Sequence, residues 1–421
     1  MRSPSNRSSR AWLLVPLFAL GFLAWVTVAR VQRVDAVSRT DSEGAVIDAT
    51  SPTGYADGKR WLIVPEHANR SYQWVAETQQ MLATGELRVR HVDYDNAPFG
   101  RAVHAASPYR WWLGFIAWCD HALSGRPLGL SAERAAVFAG PVLQLLLIVT
   151  ATIFTARRFG HFPGALLAVG LATIYPFAGG FLPGVPDDRS LAWTFNLGGM
   201  LLLLAGTQSR APRDFLAAAA CSGLGLWISP VEQLPVLAGI FIGAGVTPLL
   251  LRRGESKGAP ESSAPLPWRM WALGGATCCV AAYLFEYFPA HMDFQLRVVH
   301  PLYGLVWLAV GELLAQLESA TTSGKSPRTT AAVVRLALAS AVLAGCVVFL
   351  GGNGALTWLI GDPAATRLSY LPNGVVAQNS FAWVARDGAT GAVVATWLSL
   401  LVLGAGIALV VQRKTDPSLR T

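Results

Sequence analysis

Long apolar runs, nearly free of charge, alternate along this chain with short polar stretches. The first run, 11–29, follows a basic, polar start (MRSPSNRSSR) and is about 19 residues long, enough to cross roughly 30 Å of hydrocarbon at about 1.5 Å per residue. It reads as a first span or signal anchor, because it is longer than the apolar core of a cleaved leader and no small-x-small site follows it. Further runs at 134–156, 163–181, 190–206, 213–229, 232–251, 269–286, 301–317, 331–350 and 389–411 predict an all-α polytopic membrane protein of about ten transmembrane helices. The chain then divides into the N-terminus and first span (1–29), a long outer loop (30–133), a transmembrane core (134–350), a second outer loop (351–388), and a last span with its tail (389–421).

The long first loop is not uniform. Its start, RVDAVSRTDSEGAVIDATSPTGYADGKR, reads as disordered. Tyr72, Val75, Ala76, Gln79 and Leu82 then lie at helical spacing ahead of Gly85, which suits an amphipathic helix with a glycine C-cap. The apolar stretch 111–123 (WWLGFIAWCDHAL) tempts a further span, but about 13 residues of helix cover only about 20 Å, and Asp120 and His121 interrupt it. We read it as an interfacial or re-entrant helix. With that choice the basic short loops fall on one side: Arg2, Arg7 and Arg10; Arg157 and Arg158; Arg210 and Arg213; Arg252, Arg253 and Lys257; Lys325 and Arg328; Arg413 and Lys414. The positive-inside rule makes that side, with both termini, cytoplasmic.

Composition agrees. Of 421 residues 53% are apolar and only 14% charged, far from the roughly 25% charged content of a soluble domain. The net charge of +8 resides in the short loops, so nucleic-acid binding is set aside. The five cysteines have no metal-ligand spacing, the histidines form no H-x-x-x-H or H-E-x-x-H pattern, and no matched pair of broken spans points to an inverted-repeat transporter. Glu312 stands inside an apolar run near its cytoplasmic end, where it can reach water.

One polar turn carries most of the candidate chemistry. In GGFLPGVPDDRSLAW two carboxylates, Asp187 and Asp188, and Arg189 stand between apolar runs on the same outer side as the long first loop. The plain reading is a solvated turn broken by Pro183, Gly184 and Pro186. The sharper one is an acidic site at the membrane edge, able to hold a cation or meet a phosphate.

A family pattern is carried by VDYDNAPFGRAVHAASPYRWWL, by the run from Arg157 to Arg189, and by TRLSYLPNGVVAQNSFAWVARDG between the last two apolar runs, while HPLYGLVWLAVGEL matches no motif of known role. Together they resemble the catalytic subunits of oligosaccharyltransferases, within the GT-C class of polyprenyl-phosphate-dependent glycosyltransferases. The resemblance covers the membrane region; the chain stops at Thr421, without the family's soluble C-terminal domain and its Trp-Trp-Asp motif. It implies a GT-C-like fold and a polyprenyl-phosphate-linked sugar or oligosaccharide donor used at the outer face of a bacterial inner membrane. It also implies a divalent cation, Mg or Mn, on Asp187 and Asp188. Arg189, Arg367 and Arg386 would meet phosphate, and Glu66, Asp93 or Asp95 would activate the acceptor. Two departures stand out: the family's first metal-binding Asp falls near Asn69, and its later glutamate on Gln378, both in substrate-binding positions. They leave room for a non-catalytic relative that binds lipid-linked glycan or scaffolds an assembly.

Overall fold

The computed structural model describes residues 12–39, 46–56, 60–63, 69–174, 177–252, 265–289, 296–323 and 330–352. Among them are eleven α-helices: α1 (Leu14–Arg39), α2 (Asn69–Thr84), α3 (Pro108–Ser124), α4 (Leu128–Phe159), α5 (His161–Thr173), α6 (Asp188–Ser209), α7 (Pro212–Ile228), α8 (Pro230–Arg252), α9 (Trp268–Tyr287), α10 (Pro301–Ser323) and α11 (Thr330–Gly352). A two-residue antiparallel ribbon, β1 (His91–Val92) with β2 (Arg101–Ala102), pairs His91 with Ala102.

Consecutive long helices run in alternate directions, and this sorts their ends. At one end Arg158 of α4 faces Asp214 of α7 (3.8 Å), Trp12 stacks on His161, and Arg269 of α9 grips Glu312 of α10 at 2.8 and 3.0 Å. Glu312 is also 3.7 Å from Arg335 of α11, so this carboxylate reaches an ionic cluster instead of staying in the apolar run. Arg157, Arg158, Arg210 and Arg213 belong to helix ends on this far side. At the other end, the loop end, the starts of α4 and α6 and the ends of α1, α7 and α9 meet the first loop, and the start of α8 lies beside α6.

Among the described residues four helices are long and apolar enough to cross a membrane: Leu14–Arg39, Leu128–Phe159, Asp188–Ser209 and the Pro230–Thr247 part of α8. The count of about ten is therefore not reproduced among the described residues. α7 has only 17 residues, α5 is a shorter apolar helix, and the run 389–411 lies outside the described part. The helix in the 163–181 run stops at Thr173 and Ile174 is extended, its N–H donating to Gly170 O. The chain then makes a short 3-10 turn, Ala178–Phe181.

The start of the first loop is a correction. Residues 33–39, read as disordered, belong to α1, which runs for 26 residues in all. The extension is held from the side: Val34 packs with Leu62, Val75, Ala136 and Val137, Asp35 pairs with Arg134 at 3.2 Å, and Ser38 Oγ accepts from the Ile63 amide at 3.1 Å. Further on, Ile47 and Tyr55 form an antiparallel bridge. The expected amphipathic helix is α2, closed by Gly85 at φ 71, whose N–H donates to Met81 O at 3.0 Å.

α3 contains the 111–123 stretch. Pro108 opens it and Gly125 closes it in the left-handed region, donating to His121 O. Its last turn is tied to the start of α4, where Ser131 Oγ donates to Asp120 at 2.9 Å. Its first turns meet Ala139 of α4, through Trp112 Nε1 at 3.1 Å, and the ends of α7 and α9, where the Trp111 ring lies edge-on to Trp227 and Phe285. These contacts all fall at the loop end of the bundle.

Candidate functional site at the loop end of the bundle

The Asp187 turn is built by local chemistry. Leu182 to Val185 form a turn closed by Val185 N donating to Leu182 O at 3.3 Å, with Pro183 second and Gly184 third at φ 76. That is the type II arrangement, which suits proline at the second position and needs a positive φ at the third. Asp187 is then extended, and its Oδ1 accepts from the Arg189 amide at 3.0 Å as the N-cap of α6. Asp188 occupies the first helical turn and is only 5% exposed, where the helix dipole favours a negative charge.

Neighbouring helices complete the cluster. Arg189 Nε lies 3.3 Å from Glu232 Oε1 of α8 and 3.8 Å from Asp187 Oδ2. Glu232 Oε2 accepts from Trp193 Nε1 at 2.7 Å, and the Trp193 ring stacks on Phe177 at 5.6 Å. A Cβ on Gly180 would sit 2.3 Å from that ring, so the Gly-Gly turn is what lets Trp193 lie flat there. From the first-loop side comes Tyr109 of α3. Its hydroxyl is buried beside Asp187 and Ser190 without a hydrogen bond of standard geometry. Burial first, and the Asp187 charge second, push its ionisation well above the ordinary phenol range.

A second set of charges fixes the loop to the bundle. Glu77 of α2 bridges Arg101 (3.0 Å) and Arg110 (2.8 Å), and Arg101 holds Asp95 at 2.6 Å. Asp95 is thus the end of an ion-pair chain. Asp93, by contrast, is 98% exposed and pairs with His91 at 3.2 Å. Asn69 begins α2. Glu66, Arg367, Gln378 and Arg386 lie outside the described residues, so the expected meeting of Asp187 with the second outer loop falls there too. What comes to Asp187 from the first loop is Tyr109, fourteen residues beyond Asp95 in the sequence.

Among the described residues no three His, Cys, Asp or Glu side chains converge as metal ligands. Asp187 spends one oxygen on its cap and faces Arg189 with the other. Hard cations take six or more oxygens, so these residues by themselves do not make a metal centre, and positive charge at the turn comes from Arg189.

No protein-family model and no curated protein matches the sequence. Solved structures do. The oligosaccharyltransferase AglB of Archaeoglobus fulgidus, in complex with an inhibitory peptide and a dolichol-phosphate, superposes with a TM-score of 0.55 at 13% identity over 89% of this chain. The apo form of the Archaeoglobus fulgidus oligosaccharyltransferase gives 0.53 at 14% over 86%, and the form tethered to an acceptor peptide 0.51 at 14% over 85%. The fold is oligosaccharyltransferase-like. This chain spans 41% of the first of those structures and 39% of the other two.

Within this oligosaccharyltransferase-like fold, sequence reasoning missed Glu232, Glu286, Glu77, Arg110 and Tyr109. Glu232 and Glu286 lay at the edges of runs counted as spans. An ionisable residue at such an edge is itself a signal, as Glu312 is inside its apolar run. Nothing local marks Glu77 or Arg110, whose pairing joins separate helices.

Proposed function

We propose that this chain is a membrane glycosyltransferase-like protein of the GT-C class, taking a polyprenyl-phosphate-linked sugar or oligosaccharide at the loop end of its bundle. That end would face outward from a bacterial inner membrane, with both termini cytoplasmic. The observation that carries the reading is the place of Asp187, Asp188 and Arg189 at the start of α6, beside Glu232 and Tyr109, in an oligosaccharyltransferase-like fold. A related solved protein holds a dolichol-phosphate, and a lipid phosphate is the ligand we carry over.

The chemistry follows from the side chains. A phosphate at a membrane edge needs positive charge and N–H donors in a dry setting. Arg189, 53% exposed, offers its guanidinium fork there, with Glu232 orienting Nε. Asp187 and Asp188 would steer the acceptor side, and could share a Mg or Mn ion only if phosphate oxygens or residues beyond the described part completed its shell. Of the loop carboxylates, Asp93 is open to an acceptor, whereas Asp95 is committed to Arg101. Glu66 is the remaining acceptor candidate, and Asn69, Arg367, Gln378 and Arg386 are the proposed substrate contacts.

A second reading is a non-catalytic relative that binds lipid-linked glycan or scaffolds an assembly. It is favoured by the mutual neutralisation of Asp187, Arg189 and Glu232 and by Asn69 and Gln378 standing where the resemblance expects carboxylates. The test titrates a short-chain polyprenyl phosphate into the full chain in nanodiscs, with and without manganese, and follows sugar transfer from the corresponding lipid-linked donor. Binding weakened about tenfold by Arg189→Gln, with transfer abolished by Asp187→Asn, supports the enzyme. Arg189-dependent binding without transfer supports the second reading, and binding indifferent to Arg189 refutes both.

A further inference from the structure

Glu286, in the last turn of α9, is only 6% exposed. A carboxylate taken out of water needs donors, and here three converge. Ser107 gives its amide (3.3 Å) and its hydroxyl (2.6 Å), and Trp227 of α7 gives its indole N–H at 3.1 Å. Ser107 is the residue ahead of α3, and its own side chain makes no cap bond. Glu286 therefore does from another helix what the glutamate of a capping box does from within one: it satisfies the N-cap amide and puts negative charge at the positive end of the helix dipole.

The next turn is fixed just as firmly. Arg110 is fully buried and donates to Glu77 (2.8 Å), to Ala105 O (2.8 Å) and to Ser107 Oγ (3.2 Å), while its guanidinium lies over the Trp74 ring at 5.5 Å. The Ser107 hydroxyl thus donates to Glu286 and accepts from Arg110, joining the two charges. Tyr287, beside Glu286, donates to His104 O at 2.8 Å. Between these anchors stands Tyr109, its ring edge-on to Trp74 at 5.0 Å and its hydroxyl against Asp187 and Ser190.

We propose that Glu286 is a positioning residue for the Asp187 turn: by holding the start of α3 from α9, through Ser107, it sets the Tyr109 face against which Asp187 and Ser190 lie. The importance of that face rests on the donor site proposed above, but the placement itself does not. A loose α3 would let Tyr109 withdraw, and the α6 carboxylates would face water on that side.

The test uses the full chain in nanodiscs with 3-fluorotyrosine at position 109. The fluorine resonance is compared before and after Asp187→Asn, and the shift measures contact between the two sites. In the otherwise native chain a clear shift is expected. With Glu286→Gln, whose amide cannot accept from all three donors, the shift should fall by more than half. Ser107→Ala, which keeps the buried carboxylate and removes the hydroxyl link, should give an intermediate loss. An undiminished shift in both backgrounds overturns the proposal, and if Glu286→Gln fails to fold, Ser107→Ala decides alone. The polyprenyl phosphate titration is run on the same samples, with Glu312→Gln at the far end as control. Loss of contact in a protein that never binds the lipid phosphate sustains the positioning role and removes the donor reading. Intact contact removes the positioning role, whatever binds.

Discussion

Replacing Asp187 separates what this residue does for α6 from what its charge does for a ligand. Its Oδ1 makes the N-cap bond to the Arg189 amide at 3.0 Å, and loss of such a cap costs about 1 kcal/mol. Its Oδ2 is 3.8 Å from the half-exposed Arg189 Nε, a contact that adds on the order of 0–0.5 kcal/mol after solvent screening. Asp187→Ala should therefore destabilise the first turn by about 1–1.5 kcal/mol, raising its local opening about 5- to 13-fold. Asparagine ranks with aspartate as an N-cap, so Asp187→Asn should cost a few tenths of a kcal/mol and open the turn less than about twofold. Hydrogen exchange of the first-turn amides in nanodiscs reads these ratios directly. In parallel, both variants should lose whatever ligand chemistry depends on the carboxylate charge. Asparagine exchanging as fast as alanine would refute the capping argument. Native exchange in both would mean that the turn is not built on Asp187 at all.

Gly180→Ala, which drives a methyl into the Trp193 ring, should lower stability by about 1–3 kcal/mol, whereas Gly239→Ala, with open space around it, should be neutral or slightly stabilising in thermal melts; equal melting temperatures would contradict the close packing. Tyr109→Phe should flatten the alkaline limb of stability. The unfolded phenol ionises near pH 10 while the native one, raised by burial and the Asp187 charge, stays protonated, so native stability falls as pH rises beyond about 10 and the variant escapes that share of the loss. In a chain stripped of its own cysteines, a probe cysteine at the exposed Glu86 of the first loop should react with an impermeant reagent from the loop side and one at Arg213 should not, and the reverse pattern would overturn the assignment of ends.

The Asp187 turn was legible in the sequence because its instructions are local. Pro183 and Gly184 dictate a type II turn, and an aspartate before an apolar run dictates a cap. α2 with Gly85 and the bounds of α3 follow from spacing and punctuation in the same way. The continuation of α1 to Arg39 was not legible: VDAVSR is as polar as the TDSEG that follows it in the sequence, and only Val34, Asp35 and Ser38 finding partners in other segments makes it helical. The site was half legible for the same reason. Asp187, Asp188 and Arg189 stand side by side in the sequence, whereas Tyr109 and Glu232 reach them from α3 and α8.

Taken alone, the sequence determined that the chain is helical and apolar, where its main runs begin, and which short loops are basic, since hydrocarbon thickness and helical rise convert composition into length. It also determined the turn at Asp187. The tertiary structure decided which donors each carboxylate meets: Glu286 with Ser107 and Trp227, Glu77 with Arg101 and Arg110, Glu232 with Arg189 and Trp193. A buried charge is held by whatever donors packing brings within about 3 Å, and residues more than twenty positions apart become neighbours only once the helices have chosen theirs.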